Sequence, residues 1–437
     1  MNFVRSLGRW AMTGLVLNCI IGSGIFGLPG ELNRLLGRAS PAAMIFAVIP
    51  VACIMAAMAE VASQFSEPGG AYLYARTVFG RFIGLQVGWF SLFSIIAAAA
   101  ANANLFVVYL AGVFPEAGRG LLRVLFLSLL IGVPALVNYF GARHGAGLSS
   151  ALIVAKTLPL VLLIVLGVAL FGHHFQAIHL SEIAAPGPRP WLTSLLLLVF
   201  AYGGFEYAII PGGEVKDPKR TMPFALGASL VIVMVIYTLI QFVTVATIGT
   251  STSDRPVADV ALVLLGPAGA IFIAIAVMIS TSGHVSSVML HAPRLAYSLS
   301  AQGEFPRFLA RLHPRFHTPT TAIVWYAGLV WVLAVTGGFY VALVLSTASA
   351  VVMYVSVCAS MIKLRRTRPE ADAMRVPFGV PVAIFGIVVS IALLSQLDRT
   401  EALLMIVTAL IAIANWWLVR RRPPQTQVAL AEPPVQS

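Results

Sequence analysis

Charge is what this sequence has least of. Of its 437 residues only 10% are Asp, Glu, Lys or Arg, where a soluble globular domain carries about 25%. In their place 59% are apolar, and the mean hydropathy is +0.92. This composition excludes a chain that folds in water and predicts an all-α integral membrane protein. Cysteine is almost as scarce. Cys19, Cys53 and Cys358 all lie in apolar stretches without C-x-x-C spacing, which excludes a disulfide framework and a cysteine metal site. A phosphate-cradling G-x-x-x-x-G-K-[ST] string is missing, so ATP does not drive the chain directly. No small-residue cleavage site follows the first apolar run, which reads as a membrane helix and not as a removable leader.

Twelve apolar segments are present, near 11–36, 41–65, 82–114, 121–140, 147–171, 191–212, 222–249, 260–297, 319–337, 340–363, 376–396 and 401–419. Each supplies most of the roughly 20 residues that cross about 30 Å of hydrocarbon. The net charge of +12 would point to nucleic acid in a soluble protein, but its distribution decides otherwise. With the N-terminus inside, twenty of the 28 Lys and Arg residues fall in cytoplasmic loops and seven in outer ones, with Lys156 alone inside a span. Positive loops resist translocation, so both termini are expected in the cytoplasm of a cell membrane. The organisation expected is a cytoplasmic N-terminus over 1–10, helices 1–5 over 11–171, helices 6–10 over 191–363, helices 11–12 over 376–419, and a Pro-rich disordered tail over 420–437.

Two segments are interrupted at membrane depth. Segment 1 crowds Gly22, Ser23, Gly24, Gly27, Pro29 and Gly30 into its middle, and segment 6 carries Gly203 and Gly204, then Glu206, then Pro211, Gly212 and Gly213. Isolated glycines such as Gly14 and Gly167 read as close-packing positions. Three breakers in succession with Pro29 beyond do not. Unwound backbone is too costly in lipid unless it lines a cavity or binds something. Segments 1 and 6 lie five steps apart, an odd number, so helices 1–5 and 6–10 must run in opposite orientations as an inverted repeat. Interrupted helices at matching positions of two such halves point to a transporter site near the midplane. Free N–H groups starting one half-helix favour a carboxylate, and freed carbonyls ending another favour an ammonium. An α-amino acid carries both.

At these residues the sequence resembles the amino acid/polyamine/organocation permeases. The strings GSGIFGLPG, then AEVASQFSEPGGAYLYARTVFG, then FAYGGFE with EVKDPKRTMP, then PRLAYSLSAQGEFP with HPRFHTPTTA recur in order between about Arg9 and Thr321. The resemblance implies the inverted-repeat fold of the leucine-transporter type, with helices 1 and 6 broken and two further C-terminal helices. It also implies a carboxylate site at Gly22, Ser23, Gly24 and Ile25, faced by carbonyls or pocket surface from Phe200, Ala201, Tyr202 and Phe205. In proton-coupled members a lysine in segment 5 fills the space where sodium-coupled relatives bind an ion, and Lys156 matches it, which implies sodium independence.

Lys156 lies nine residues into segment 5, about 13 Å deep at 1.5 Å per residue. Burial makes its charge costly, so it is a candidate to load and release a proton, or else a tether between the broken segment 1 and segment 8. Glu206 is a candidate pH-sensitive gate or a strut for unwound backbone. Its position resembles the pattern of basic amino acid antiporters, but segment 3 offers only small residues, Ala97 to Ala101, where an arginine pocket needs polar or aromatic ones. His284 and Ser282 are possible pocket residues of segment 8. A lone histidine on an apolar helix also serves structurally, and Ser280, Ser282 and Ser286 can bond their own helix. Glu60 reads as a structural or gating partner of loop arginines, and Asn102 and Asn104 as polar pairs across helices. His173, His174 and His179 share an outer loop at a spacing that solvent exposure explains as well as a metal does.

The leading expectation is a secondary active transporter of amino acids or related amines, working by alternating access through proton-coupled symport or exchange. The alternatives are a basic amino acid or polyamine antiporter and a non-transporting membrane sensor on the same fold. An integral-membrane enzyme would need carboxylate pairs or His clusters, for which Asp254 with Asp259 is a poor substitute. A channel would need a continuously polar pore. The partners expected are a small amino acid or amine, protons as coupling ion and the lipid bilayer, with no nucleic acid, no cofactor and no metal.

Overall fold

The computed structural model describes residues 8–65, 70–141, 147–171, 186–208, 215, 217–249, 251, 253–368 and 373–421. Pro68, Gly69, the outer-loop histidines His173, His174 and His179, the Pro211-Gly212-Gly213 end of segment 6 and the tail from 422 onward lie outside them.

The described chain is helical, with sixteen α-helices and no β-strand among the described residues. Segment 1 is two helices, α1 (Arg9–Ile20) and α2 (Ser23–Leu36), separated at Ile21 and Gly22. Segment 2 forms α3 (Ser40–Phe46) and α4 (Val48–Ala62), and a short helix not foreseen from apolar runs, α5 (Gly70–Phe79), follows. Then come α6 (Arg81–Val113), α7 (Gly120–Tyr139) and α8 (Gly147–Phe171). Segment 6 is again divided, into α9 (Pro188–Tyr202) and α10 (Phe205–Ala208), followed by α11 (Pro218–Ile248). The remainder is α12 (Pro256–Ala301), α13 (Thr320–Thr336), α14 (Phe339–Thr367), α15 (Gly379–Leu394) and α16 (Arg399–Val419). Helix α12 is bent at Gly266, next to Pro267, so its first ten residues form a separate short stretch.

Among the described residues eight helical stretches are long and apolar enough to cross a membrane, and three shorter apolar ones accompany them, Lys156–Leu170, Thr320–Thr336 and Gly379–Leu394. Several long apolar helices make this a multi-pass membrane protein. The twelve apolar segments of the sequence do not give twelve long helices, because the break in segment 1 leaves α1 only 12 residues and a brief turn joins α2 to the next helices.

Burial sorts the helices into a centre and a periphery. In α6 and α14, 78% of the apolar window is buried, against 11% in α7 and 28% in α16. The first two are therefore the core of the bundle and pack against each other. Ser94 and Ser346 mark where they touch, each hydroxyl donating to the other residue's carbonyl at 2.9 Å. Small residues are what allow two helices to approach so closely. The periphery instead exposes Leu129, Val133, Leu136, Val165, Ile391 and Leu410. In water such a surface would drive aggregation, and in a bilayer it faces acyl chains.

Helix α1 packs on α8, α10 and α11, while α2 packs on α9 and α12. The two interrupted segments are thereby brought together at the centre of the molecule.

Candidate substrate site

The breaks meet backbone to backbone. A Cβ added to Gly24, at the start of α2, would lie 2.7 Å from Ala201 Cα, near the end of α9. Conversely, a Cβ on Gly204 would strike the Cys19 carbonyl oxygen at the end of α1. Gly204 also has φ of +101°, a left-handed conformation open to glycine and costly for other residues. Two glycines thus permit a crossing in which each break abuts the other.

A broken helix leaves carbonyls without their i+4 donors, and the surrounding side chains take up several of them. Asn18 O would accept from residue 22 in a continuous helix, and here the Lys156 ammonium lies 3.4 Å from it. Ile20 O and Ala201 O, one from each break, both accept from the Tyr237 hydroxyl of α11, at 3.4 and 3.2 Å. Phe200 O accepts from Gly203 N at 3.1 Å. Glu206 reaches back so that Gly204 N donates to its Oε2 at 2.9 Å, and Tyr354 bonds the same carboxylate.

The donor side is left open. The first N–H groups of α2, beginning at Ser23 and Gly24, have no intrahelical acceptor, and no side chain caps them. Ser23 is 1% exposed and its hydroxyl has no partner. These groups border a cavity of about 50 Å³, lined from segment 1 by Cys19, Ile20, Gly22, Ser23 and Gly24, and from segment 6 by Val199, Phe200, Gly203, Gly204, Glu206 and Tyr207. Ser94, Ala98 and Asn102 of α6, His284 of α12, and Ser346, Thr347, Ala350 and Tyr354 of α14 complete it. Asn102 Oδ1 and His284 Nε2 are buried without a partner.

Of the residues singled out from the sequence, Gly22, Ser23, Gly24, Phe200, Glu206 and His284 come together on this cavity. Others stand behind it. Ile25 is buried in the packing, Ala201 is the contact for Gly24, Tyr202 donates to Met44 O at 2.9 Å, and Phe205 stacks on Tyr354 with ring centres 5.8 Å apart. Lys156 braces the end of α1 from outside the cavity wall. Ser282 is occupied within its own helix, donating to Met278 O at 2.7 Å. Asn104 bridges helices as expected, donating to Ala334 O and accepting from Arg123 at 2.7 Å. Asn102 does not, since its amide turns back to Ala98 O on α6. Among the described residues no group of three His, Cys, Asp or Glu side chains could hold a metal ion. Tyr237 and the serines of α6 and α14 have no distinguishing signal in the sequence, because only the helix crossing brings them to the site, and Asn102, read from the sequence as a pair across helices, lines the cavity instead.

A multi-pass helical membrane protein with two broken helices crossing at a cavity has the architecture of a transporter. The chain belongs to the amino acid permease family, whose model matches residues 7–419. Its relatives include the serine/threonine exchanger of Bacillus subtilis, 25% identical over 421 residues that cover 94% of this chain and 95% of that one. The methylthioribose transporter of the same organism is 26% identical, covering 87% and 86%. Its glutamate/serine transporter is 25% identical, covering 83% and 72%. Family and relatives are transporters and not enzymes, and amino acid transport is the role they support.

Proposed function

We propose that this protein is a secondary active transporter that carries an α-amino acid across the cell membrane by alternating access, with both termini in the cytoplasm. Twelve spans would form a five-plus-five inverted repeat followed by two C-terminal helices. The pairing of the broken segments 1 and 6, and of α6 with α12, supports that arrangement. The observation that carries the reading is the uncapped start of α2 with the unpaired Ser23 hydroxyl beside a central cavity. These donors are suited to a carboxylate, and the remaining lone pairs of the broken carbonyls are suited to its ammonium. The exchange of serine and threonine by one relative, and transport of glutamate and serine by another, agree with such a cargo.

Coupling is assigned to protons or to a counter-moving amino acid and not to sodium. Lys156 holds the freed carbonyl of Asn18, and an ammonium there supplies the positive charge that a bound sodium ion would bring. The Glu206 carboxylate is engaged by Gly204 N–H and Tyr354, which supports a strut for the unwound backbone of segment 6. The test is flux of labelled amino acids into liposomes containing the purified chain, under imposed pH and sodium gradients and with internal amino acid present or absent. Uptake that responds to the pH gradient or to internal amino acid, and ignores sodium, is expected. Strict sodium dependence would overturn the coupling, and absence of uptake or exchange of any amino acid would overturn the function.

A further inference from the structure

The exposed segment between α12 and α13 lies at the depth of the lipid headgroups. Helix α7 has 20 residues with only 11% of its apolar length buried, so it faces acyl chains over about 30 Å, and Tyr139 at its end marks one edge of the hydrocarbon. The segment is fastened to that edge. Thr318 Oγ1 donates to Tyr139 O at 2.7 Å, the His313 ring meets Tyr139 with centres 5.7 Å apart, and Phe316 meets Phe140 edge-on at 5.2 Å. Further ties come from Ser300 Oγ, which donates to Pro306 O at 2.6 Å, and from Thr321 Oγ1, which donates to Phe308 O at 2.7 Å. Aromatic side chains gathered in this way are typical of the boundary between membrane and water.

The outward side of the segment combines charge with apolar surface. Leu309 is fully buried, but Phe308 and Leu312 are 43% and 45% exposed, and Arg307, Arg311 and Arg315 are exposed beside them. Arg315 lies over the Phe316 ring at 5.6 Å, which holds it next to the aromatic cluster. No Asp or Glu occurs from Phe305 to Thr321. Among the described residues none of the three guanidinium groups pairs with a carboxylate, and Glu304, the nearest acidic residue in the chain, is fully buried and held by Arg81 and Arg76. The positive charge of the segment is therefore uncompensated by the protein.

We propose that residues 307–316 form a docking surface for anionic phospholipid, with Arg307, Arg311 and Arg315 among the phosphates and Phe308 and Leu312 in the adjoining acyl boundary. Guanidinium groups bond phosphate oxygens in pairs, and long basic stems lie over apolar surface with their charge in the headgroups. Apolar side chains flanked by basic ones suit burial where headgroups meet acyl chains. The exposed apolar pair and the depth of the segment favour a lipid over free phosphate. The lack of any compensating acid favours an anionic headgroup over a zwitterionic one, whose own ammonium would face the arginines. None of these residues lines the central cavity, so the surface is independent of the cargo carried.

The experiment is native mass spectrometry of the detergent-purified full-length chain, titrated with phosphatidylglycerol or with phosphatidylcholine of the same acyl chains, in the presence and absence of inorganic phosphate. Phosphatidylglycerol should bind about tenfold or more tighter than phosphatidylcholine, since each arginine near an anionic surface contributes about fivefold, and excess inorganic phosphate should not displace it. Arg307→Gln, Arg311→Gln and Arg315→Gln together should weaken phosphatidylglycerol binding about tenfold or more. Arg366→Gln, Arg368→Gln and Arg421→Gln together remove the same charge from exposed arginines elsewhere and should change it less than about twofold. Equal binding of the two lipids, a first triple substitution no more damaging than the second, or displacement by inorganic phosphate would each overturn the proposal, the last by marking a site for a free anion. Should the first triple variant fail to fold, Arg311→Gln alone decides, with a loss of about threefold to fivefold expected and an unchanged affinity overturning the proposal.

Discussion

Single residues at the crossing carry requirements out of proportion to their size. Gly24 touches Ala201 and belongs to the uncapped turn of α2, so a larger side chain there both collides and covers the donors. Gly24→Val should abolish uptake while expression and membrane insertion stay intact, as surface labelling and flux would report together; unchanged uptake would remove the carboxylate site from α2. Lys156 is 4% exposed and its ammonium has the Asn18 carbonyl within reach. A cation placed so deep needs such a partner. Lys156→Ala should make accumulation independent of the imposed pH gradient. Accumulation that still follows the gradient would leave Lys156 as a brace for α1 and nothing more.

Among the elements, the two halves of segment 1 differ sharply in how they are held. Eleven of the fourteen residues of α2 are buried, but only four of the twelve in α1. Gln241 of α11 fastens α2 further, donating to Asn33 Oδ1 and Ser40 Oγ at 2.8 Å each, and Asn33 donates onward to Gly249 O. Helix α1 has lighter ties, with Ser229 donating to Thr13 O at 3.2 Å and Lys156 close to Asn18 O. Regions with few buried contacts open first, so in the proposed alternating-access cycle α1 is the half-helix suited to swing while α2 stays seated. Hydrogen exchange of the detergent-purified protein should be faster in peptides spanning 9–20 than in those spanning 23–36. Equal protection of the two would count against a mobile α1.

At the scale of the whole molecule, buried ion pairs tie the helices together away from the cavity. Glu60 of α4 is fully buried and accepts from Arg365 of α14 through two nitrogens at 2.6 Å and from Val376 N at 2.7 Å, with Arg375 at 3.8 Å. Glu304 plays a similar part, joining Arg81 at 3.0 Å and Arg76 at 3.4 Å, while Asn415 of α16 donates to its backbone carbonyl at 2.7 Å. The carboxylates are buried but Arg365, Arg81 and Arg76 remain partly exposed, so removing Glu60 leaves an arginine that solvent still reaches, at less than the cost of about 3–5 kcal/mol for a pair buried on both sides. Glu60→Gln should lower the melting temperature and leave the relative binding of different amino acids unchanged. An unaltered melting temperature would show that water or a neighbouring group replaces the pair.

Much of this was legible in the amino-acid order. Scarce charge and long apolar runs determined a helical membrane protein, since lipid offers no partner for an unpaired backbone group and a helix satisfies its own. Clustered breakers at Gly22 to Gly24 and at Gly203 and Gly204 located the interruptions, which α1, α2, α9 and α10 then display at those residues. The motifs around them led to the permease family. What the tertiary structure alone decided is which atoms remain unpaired once the helices cross. Asn102 and Asn104 are two residues apart on α6 and alike as letters, yet Asn104 bridges to α13 while Asn102 turns its amide back to its own helix beside the cavity. Tyr237 is an unremarked tyrosine until packing brings its hydroxyl to carbonyls from both breaks. The physical reason is that helix formation follows from neighbours along the chain, whereas hydrogen-bond satisfaction in a cavity depends on groups hundreds of residues apart being brought within about 3 Å of one another.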